Sequence, residues 1–149
     1  MAEEVARRQL SSQVILLGRH PLNKMPAFFQ HADALLVSLK DEPIFAMTIP
    51  GKMQTYLATG IPVLAMLNGE GSQVVTESGA GLACPAGDAE QLAQAVLMLS
   101  RMPATQRAGM GERGLATYRQ EFERGKLMDQ LEKELKGLGL SHLRGQRKQ

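Results

Sequence analysis

A chain of 149 residues, 44% of them hydrophobic, is long enough for one domain with a real core and too short for two ordinary ones. Aromatic residues make up only 4%, Trp is absent and nine Met stand among the apolar residues, so the expected core is aliphatic, with helices packed on a sheet. The formal charge is +2, but Arg144, Arg147 and Lys148 all lie in the last nine residues; without them, 14 of the 17 basic side chains remain against 15 acidic ones. A body so balanced excludes a nucleic-acid protein, which needs a basic face. The single cysteine excludes an internal disulfide.

The N-terminal stretch Met1 to Ser12 reads as a helix. Val14 to Leu17 is a continuous apolar run stopped by Gly18, the mark of a strand buried on both faces. Met25 to His31 follows as a helix. Ala34 to Leu39 is a second apolar run, Pro62 to Leu67 a third and Gly81 to Cys84 a short fourth. Helices are expected between them over Pro50 to Thr59 and Gly71 to Ser78. This alternation predicts an α/β fold: a Rossmann-like parallel sheet with helices on both faces.

Beyond Gly87 only helices are expected. Asp88 is a good N-cap, followed by Leu92, Val96 and Leu99 at helical spacing. Pro103 starts a helix running toward Phe122, weakened by Gly109, Gly111 and Gly114 at about 1 kcal/mol each. Leu127, Leu131, Leu135 and Leu138 form a last amphipathic stripe. Residues 1–140 are read as one domain and 141–149 as a basic, disordered tail. No run approaches the ~20 apolar residues of a membrane helix, and no signal-peptide pattern is present. A cytoplasmic location is expected, with Arg144, Arg147 and Lys148 offering contact with an anionic inner membrane face worth at most about 3 kcal/mol.

Ligands of open parallel sheets bind beyond the carboxyl ends of the strands. Three segments fall there: Gly18 to Pro21, Lys40 to Pro50, and Asn68 to Ser72. The last is glycine-rich and opens a helix, so the backbone N–H groups of Gly69, Gly71 and Ser72 suit a phosphate. It is neither a Walker A loop nor a dinucleotide fingerprint. The Lys40–Pro50 loop holds two acids, Asp41 and Glu42, and is long for a plain surface connection. Lys52, in a first helical turn, opposes the dipole preference and suits a docked anion; Arg19 is a second cation at a strand end. His20, His31 and His142 have no ligand spacing, so no metal is expected. Cys84, at an apolar strand end, reads as a small buried hydrophobe rather than a nucleophile.

Pro50-Gly51-Lys52, Tyr56, Ala58-Thr59-Gly60 and Pro62-Val63, followed by Gly81-Leu82 and Pro85-Ala86-Gly87-Asp88, resemble the donor-binding, C-terminal half of the family 4 (group 1) glycosyltransferases. There a P-x-K-x-x-x-Y-x-A-x-G-x-P-V helix–strand pair lies beside the nucleotide-sugar. Val14 to Arg19 is similar to the family's F-x-G strand, Pro26 to Val37 to its P-x-x-Y-x-x-A-D element, and Val74 to Ala80, with a shift, to its V-x-E-x-x-x-G segment. The resemblance covers roughly residues 13–135. It implies one half of a two-domain GT-B architecture and a retaining transferase. The donor would be a nucleotide-sugar, a UDP-sugar first, used without a cofactor or metal. The donor site it implies comprises Arg19, Glu42, Phe45, Ala46, Thr48, Lys52, Gln54, Thr55, Gly69, Gly71 and Ser72.

Two departures stand out. The family's pair of glutamates spaced eight apart falls here on Met47 and Thr55, so Glu42 is the candidate for the first role, and Thr55 or Gln54 for the ribose contact. That pattern resembles a subgroup associated with bacterial surface-polysaccharide assembly. The first strands of such a half, and the acceptor domain, have no counterpart before Val14. The chain is therefore expected to be a fragment, inactive alone and needing that N-terminal domain, or another polypeptide in its place. A non-catalytic remnant or interaction module, docking through the Leu127–Leu138 stripe, is the alternative. A receiver domain is disfavoured because Val14 to Arg19 carries no clustered acids.

Overall fold

The computed structural model describes residues 1–137. The chain forms two compact units, Met1–His31 and the remainder from Ala32. In the first unit, α1 (Ala2–Arg7) is followed by a long irregular segment, a 3-10 turn at Leu22–Lys24 and α2 (Met25–Phe29). Glu4 accepts hydrogen bonds from Arg7 and Arg8, and these guanidinium groups hold its carboxyl below the usual carboxylate range. The His20 ring packs on Phe28 at 4.8 Å between centroids.

The second unit carries the sheet. In order come β1 (Leu35–Ser38), α3 (Pro43–Ala46), α4 (Gly51–Thr59), β2 (Val63–Met66), α5 (Glu70–Ser78), β3 (Gly81–Cys84), α6 (Ala89–Arg101), α7 (Ala104–Thr117), a π turn at Tyr118–Phe122 and α8 (Arg124–Gly137). The three strands run parallel in the order β1-β2-β3. Leu35 pairs with Val63, and Val63 with Gly81. This is the α/β, Rossmann-like arrangement expected from the alternation of apolar runs and helices.

Successive strand residues face opposite sides, and the core divides accordingly. Val37, Val63 and Ala65 meet Met53 and Leu57 of α4 and Val75 of α5 in the larger cluster. Leu64, on the other face, meets Ala95 and Leu99 of α6. Met53 and Leu57, four apart on α4, are fully buried; truncating such a leucine to Ala costs about 3–5 kcal/mol. Asp88 caps α6 as expected, its Oδ1 accepting from the Gln91 N–H at 2.9 Å.

Several expectations are corrected. Val14–Leu17 is not a strand; it lies outside the sheet, and Ile15 is 76% exposed. An apolar run becomes a strand only when a neighbour takes its backbone hydrogen bonds, and among the described residues this one has no partner strand. β1 is buried on one face alone: Leu35 and Val37 are inside while Leu36 is 48% exposed, because α6 packs on β2 and β3. Two of the three α7 glycines read as weak points, Gly111 and Gly114, are contact surfaces. A Cβ on Gly111 would overlap the Gly60 carbonyl oxygen, and one on Gly114 would stand 3.2 Å from both Ala80 and Leu57 side chains. Only bare backbone lets α7 approach the turns that feed β2 and β3 so closely. The Leu127, Leu131 and Leu135 stripe is half-exposed. Leu138 and the basic tail lie outside the described residues.

Candidate functional site

β1, β2 and β3 end together at Ser38, Met66 and Cys84, because they run parallel and in register. Three connections therefore leave the sheet on the same side: Lys40–Pro50, Asn68–Gly69 and Pro85–Asp88. Parallel topology thus gathers loops that are far apart in sequence.

Asn68 joins all three. Its Nδ2 donates to Asp41 Oδ1 at 2.8 Å, and its Oδ1 accepts from the Ala86 N–H at 3.1 Å. Only this orientation of the carboxamide satisfies both neighbours, since a carboxylate only accepts and a backbone N–H only donates. Gly69, the next residue, has φ +73° and ψ −145°, a backbone region closed to residues with a side chain. A Cβ there would overlap the Ala46 carbonyl oxygen. Gly71, buried at the start of α5, lies where a Cβ would stand 3.2 Å from Pro50 Cδ.

These contacts bring part of the expected site together. Ala46 rests on Gly69, and Gly71 lies beside Pro50, which leads directly into α4 and Lys52. Glu42 is the N-cap of α3 and Phe45 lies within it, the Phe45 N–H donating to the Glu42 carbonyl at 3.0 Å. Glu42 is exposed and Phe45 half-buried. Ser72 lies in the first turn of α5, next to Gly71, and is half-buried.

The hydroxyls of Thr48 and Thr55 are turned onto their own backbone, toward the Phe45 carbonyl at 3.2 Å and the Gly51 carbonyl at 3.4 Å. Lys52 and Thr55 are exposed, three apart on the side of α4 away from buried Met53 and Leu57; Gln54 is half-buried. Arg19 belongs to the Met1–His31 unit and is exposed there. The first N–H groups of α4 and of α5 precede the regular helical hydrogen bonds, and both helices open on this side of the sheet; the Met53 N–H donates to the Pro50 carbonyl at 2.8 Å.

Asn68 and Asp41 lie in segments expected at the crevice, but neither is expected as a site residue and their contact is not read from the sequence. An Asn-Gly dipeptide after an apolar run signals a turn, but no pattern couples it to an acid 27 residues earlier. Cys84, beneath these loops, is buried, and burial with the nearby Asp88 charge raises its pKa, which suits a packing role and not a nucleophile.

Residues 1–101, about two thirds of the chain, match the model of the family described as glycosyl transferases, group 1. The chain belongs to the group 1 glycosyltransferases. No curated protein matches it. Membership assigns the chain to sugar-transfer chemistry, with a sugar donor and an acceptor as its partner classes. The match spans α1 through α6 and so contains every loop of the site; α7 and α8 lie beyond it. No helix among the described residues of this glycosyltransferase is long and apolar enough to cross a membrane.

Proposed function

We propose that this chain is the donor-binding part of a retaining glycosyltransferase of family 4, using a UDP-sugar in surface-polysaccharide assembly. The observation that supports it most directly is the convergence of the Lys40–Pro50 loop and the openings of α4 and α5 at the carboxyl end of a parallel sheet. Two helix N-termini side by side favour a diphosphate electrostatically. Gly69, Gly71 and Ser72 supply backbone donors on one side, and Lys52 adds a cation. Gln54 or Thr55 takes the ribose hydroxyls, Thr55 by turning from its own backbone carbonyl. Glu42, Phe45, Ala46 and Thr48 form the wall toward the sugar.

In the reaction the bond between the sugar anomeric carbon and the diphosphate breaks, and the nucleoside diphosphate leaves with the electron pair. An acceptor hydroxyl then bonds to that carbon and passes its proton to an oxygen of the departing diphosphate. The N–H groups and cations stabilise charge growing on the departing diphosphate, without a metal or other cofactor. An acceptor domain, whether on the same polypeptide or another, holds the second substrate in line.

Titration of the folded chain with UDP, GDP and ADP, followed by amide chemical shifts, tests the reading. Saturable shifts with UDP at Glu42–Thr55 and Gly69–Ser72 are expected. A folded chain unresponsive to all three nucleotides would sink it. It would leave the alternative, an interaction module that no longer binds donor, which the half-exposed Leu127–Leu135 stripe favours.

A further inference from the structure

We infer that Asn68 is a positioning residue whose carboxamide, together with the Gly69 backbone, holds the Glu42–Phe45 segment in place over the start of α5. The inference rests on the donor site proposed above. One dipeptide grips the segment at both ends. Asn68 takes Asp41, the residue before Glu42, at 2.8 Å; Gly69 takes Ala46, the residue after Phe45, by backbone contact. The remaining acceptor of Asn68 takes the Ala86 N–H, so the loops after all three strands are joined through one side chain.

Apolar packing holds the segment only through half-buried Phe45 and Ala46. Ile44 is 62% and Met47 74% exposed, so apolar burial does not anchor them. A loop with few buried apolar contacts opens locally at low cost unless polar bridges hold it. The bridge demands this residue type. Asp at 68 would keep the acceptor for Ala86 but lose the donor for Asp41, and would set two carboxylates against each other. Without the bridge Glu42 would sample many positions, and a donor would have to order it on binding, which weakens affinity.

The test uses the whole chain with Asn68→Asp and with the swapped pair Asn68→Asp/Asp41→Asn. In the swapped pair the Asn at 41 donates to the carboxylate at 68, restoring the bridge with its ends exchanged. Amide hydrogen exchange at Phe45 and Thr48 reads the segment, UDP titration reads the site, and urea unfolding reads the fold. Asn68→Asp is expected to speed exchange about tenfold and raise the UDP dissociation constant about tenfold, with a fall in the urea midpoint no larger than that same tenfold, about 1.4 kcal/mol, implies. The swapped pair should return both to within about twofold of the parent. Unchanged exchange in Asn68→Asp would overturn the bridge. Faster exchange with unchanged UDP affinity would overturn the positioning role. A parent chain that binds no UDP would fail the donor-site reading and the positioning role with it, while exchange would still decide whether the bridge exists.

Discussion

Gly69 offers the sharpest test of how the site is built, because two separable penalties fall on it. Gly69→Ala must hold a side chain at φ +73°, ψ −145°, and must also fit a Cβ that would stand 2.6 Å from the Ala46 carbonyl carbon and 2.7 Å from its Cα. Ordinary carbon contacts begin near ~3.5 Å and the Ala46 carbonyl oxygen is closer still than these carbons, so the Ala46 backbone has to retreat by more than about 1 Å. No rotamer change relieves a clash with backbone. The conformational penalty is about 1–3 kcal/mol and the overpacking penalty about 1–3 kcal/mol, together roughly 2–6 kcal/mol. Gly87→Ala supplies the control. Gly87 has φ +78° and nothing within 4 Å of a built Cβ, so only the conformational part applies, about 1–2 kcal/mol. Urea unfolding of the two variants gives the difference. Amide shifts across Pro43–Thr48 should move in Gly69→Ala and stay put in Gly87→Ala. Equal destabilisation, with Pro43–Thr48 unmoved in both, would refute the close packing of the loop on Gly69.

Arg107→Ala should cost about 1–3 kcal/mol in urea unfolding, because its guanidinium caps the end of α6 through the Leu99 and Met102 carbonyls. Asp33→Ala should cost under about 0.5 kcal/mol, since the Asp33 side chain is 87% exposed in its pair with Arg107; a loss matching that of Arg107→Ala would contradict this division. Asp88→Ala removes both acceptors used by Gln91 and should destabilise by about 1 kcal/mol, with faster amide exchange confined to the first turn of α6. Cys84 should alkylate slowly at neutral pH and faster on unfolding, because burial raises its pKa and the Asp88 charge adds to that. With the folded pKa above the unfolded one, its contribution to stability is complete below the unfolded thiol's value of about 8.5 and is lost as pH rises through the higher folded value. Cys84→Ala should therefore flatten the alkaline part of the stability profile; a profile unchanged by the substitution would contradict it.

Local pattern was sufficient for those elements whose physics is local. Asp88 capped a helix because its carboxylate reaches an N–H three residues on. Gly81–Cys84, Pro62–Leu67 and Ala34–Leu39 read as strands because short apolar runs between turn residues have few other uses in a balanced, aliphatic chain. Their alternation with helices determined a parallel sheet and, through it, the end at which the three loops gather. Val14–Leu17 carries the same local signature and is exposed, since strand formation depends on a partner that the run itself does not supply. Gly111 and Gly114 looked like helix defects, because one dimension does not reveal that another backbone passes within contact distance. Tertiary structure alone decided that Asn68 meets Asp41 and Ala86, and that Gly69 meets Ala46. A hydrogen bond across 27 residues depends on where two strands end in space, and no periodicity in the chain encodes that coincidence.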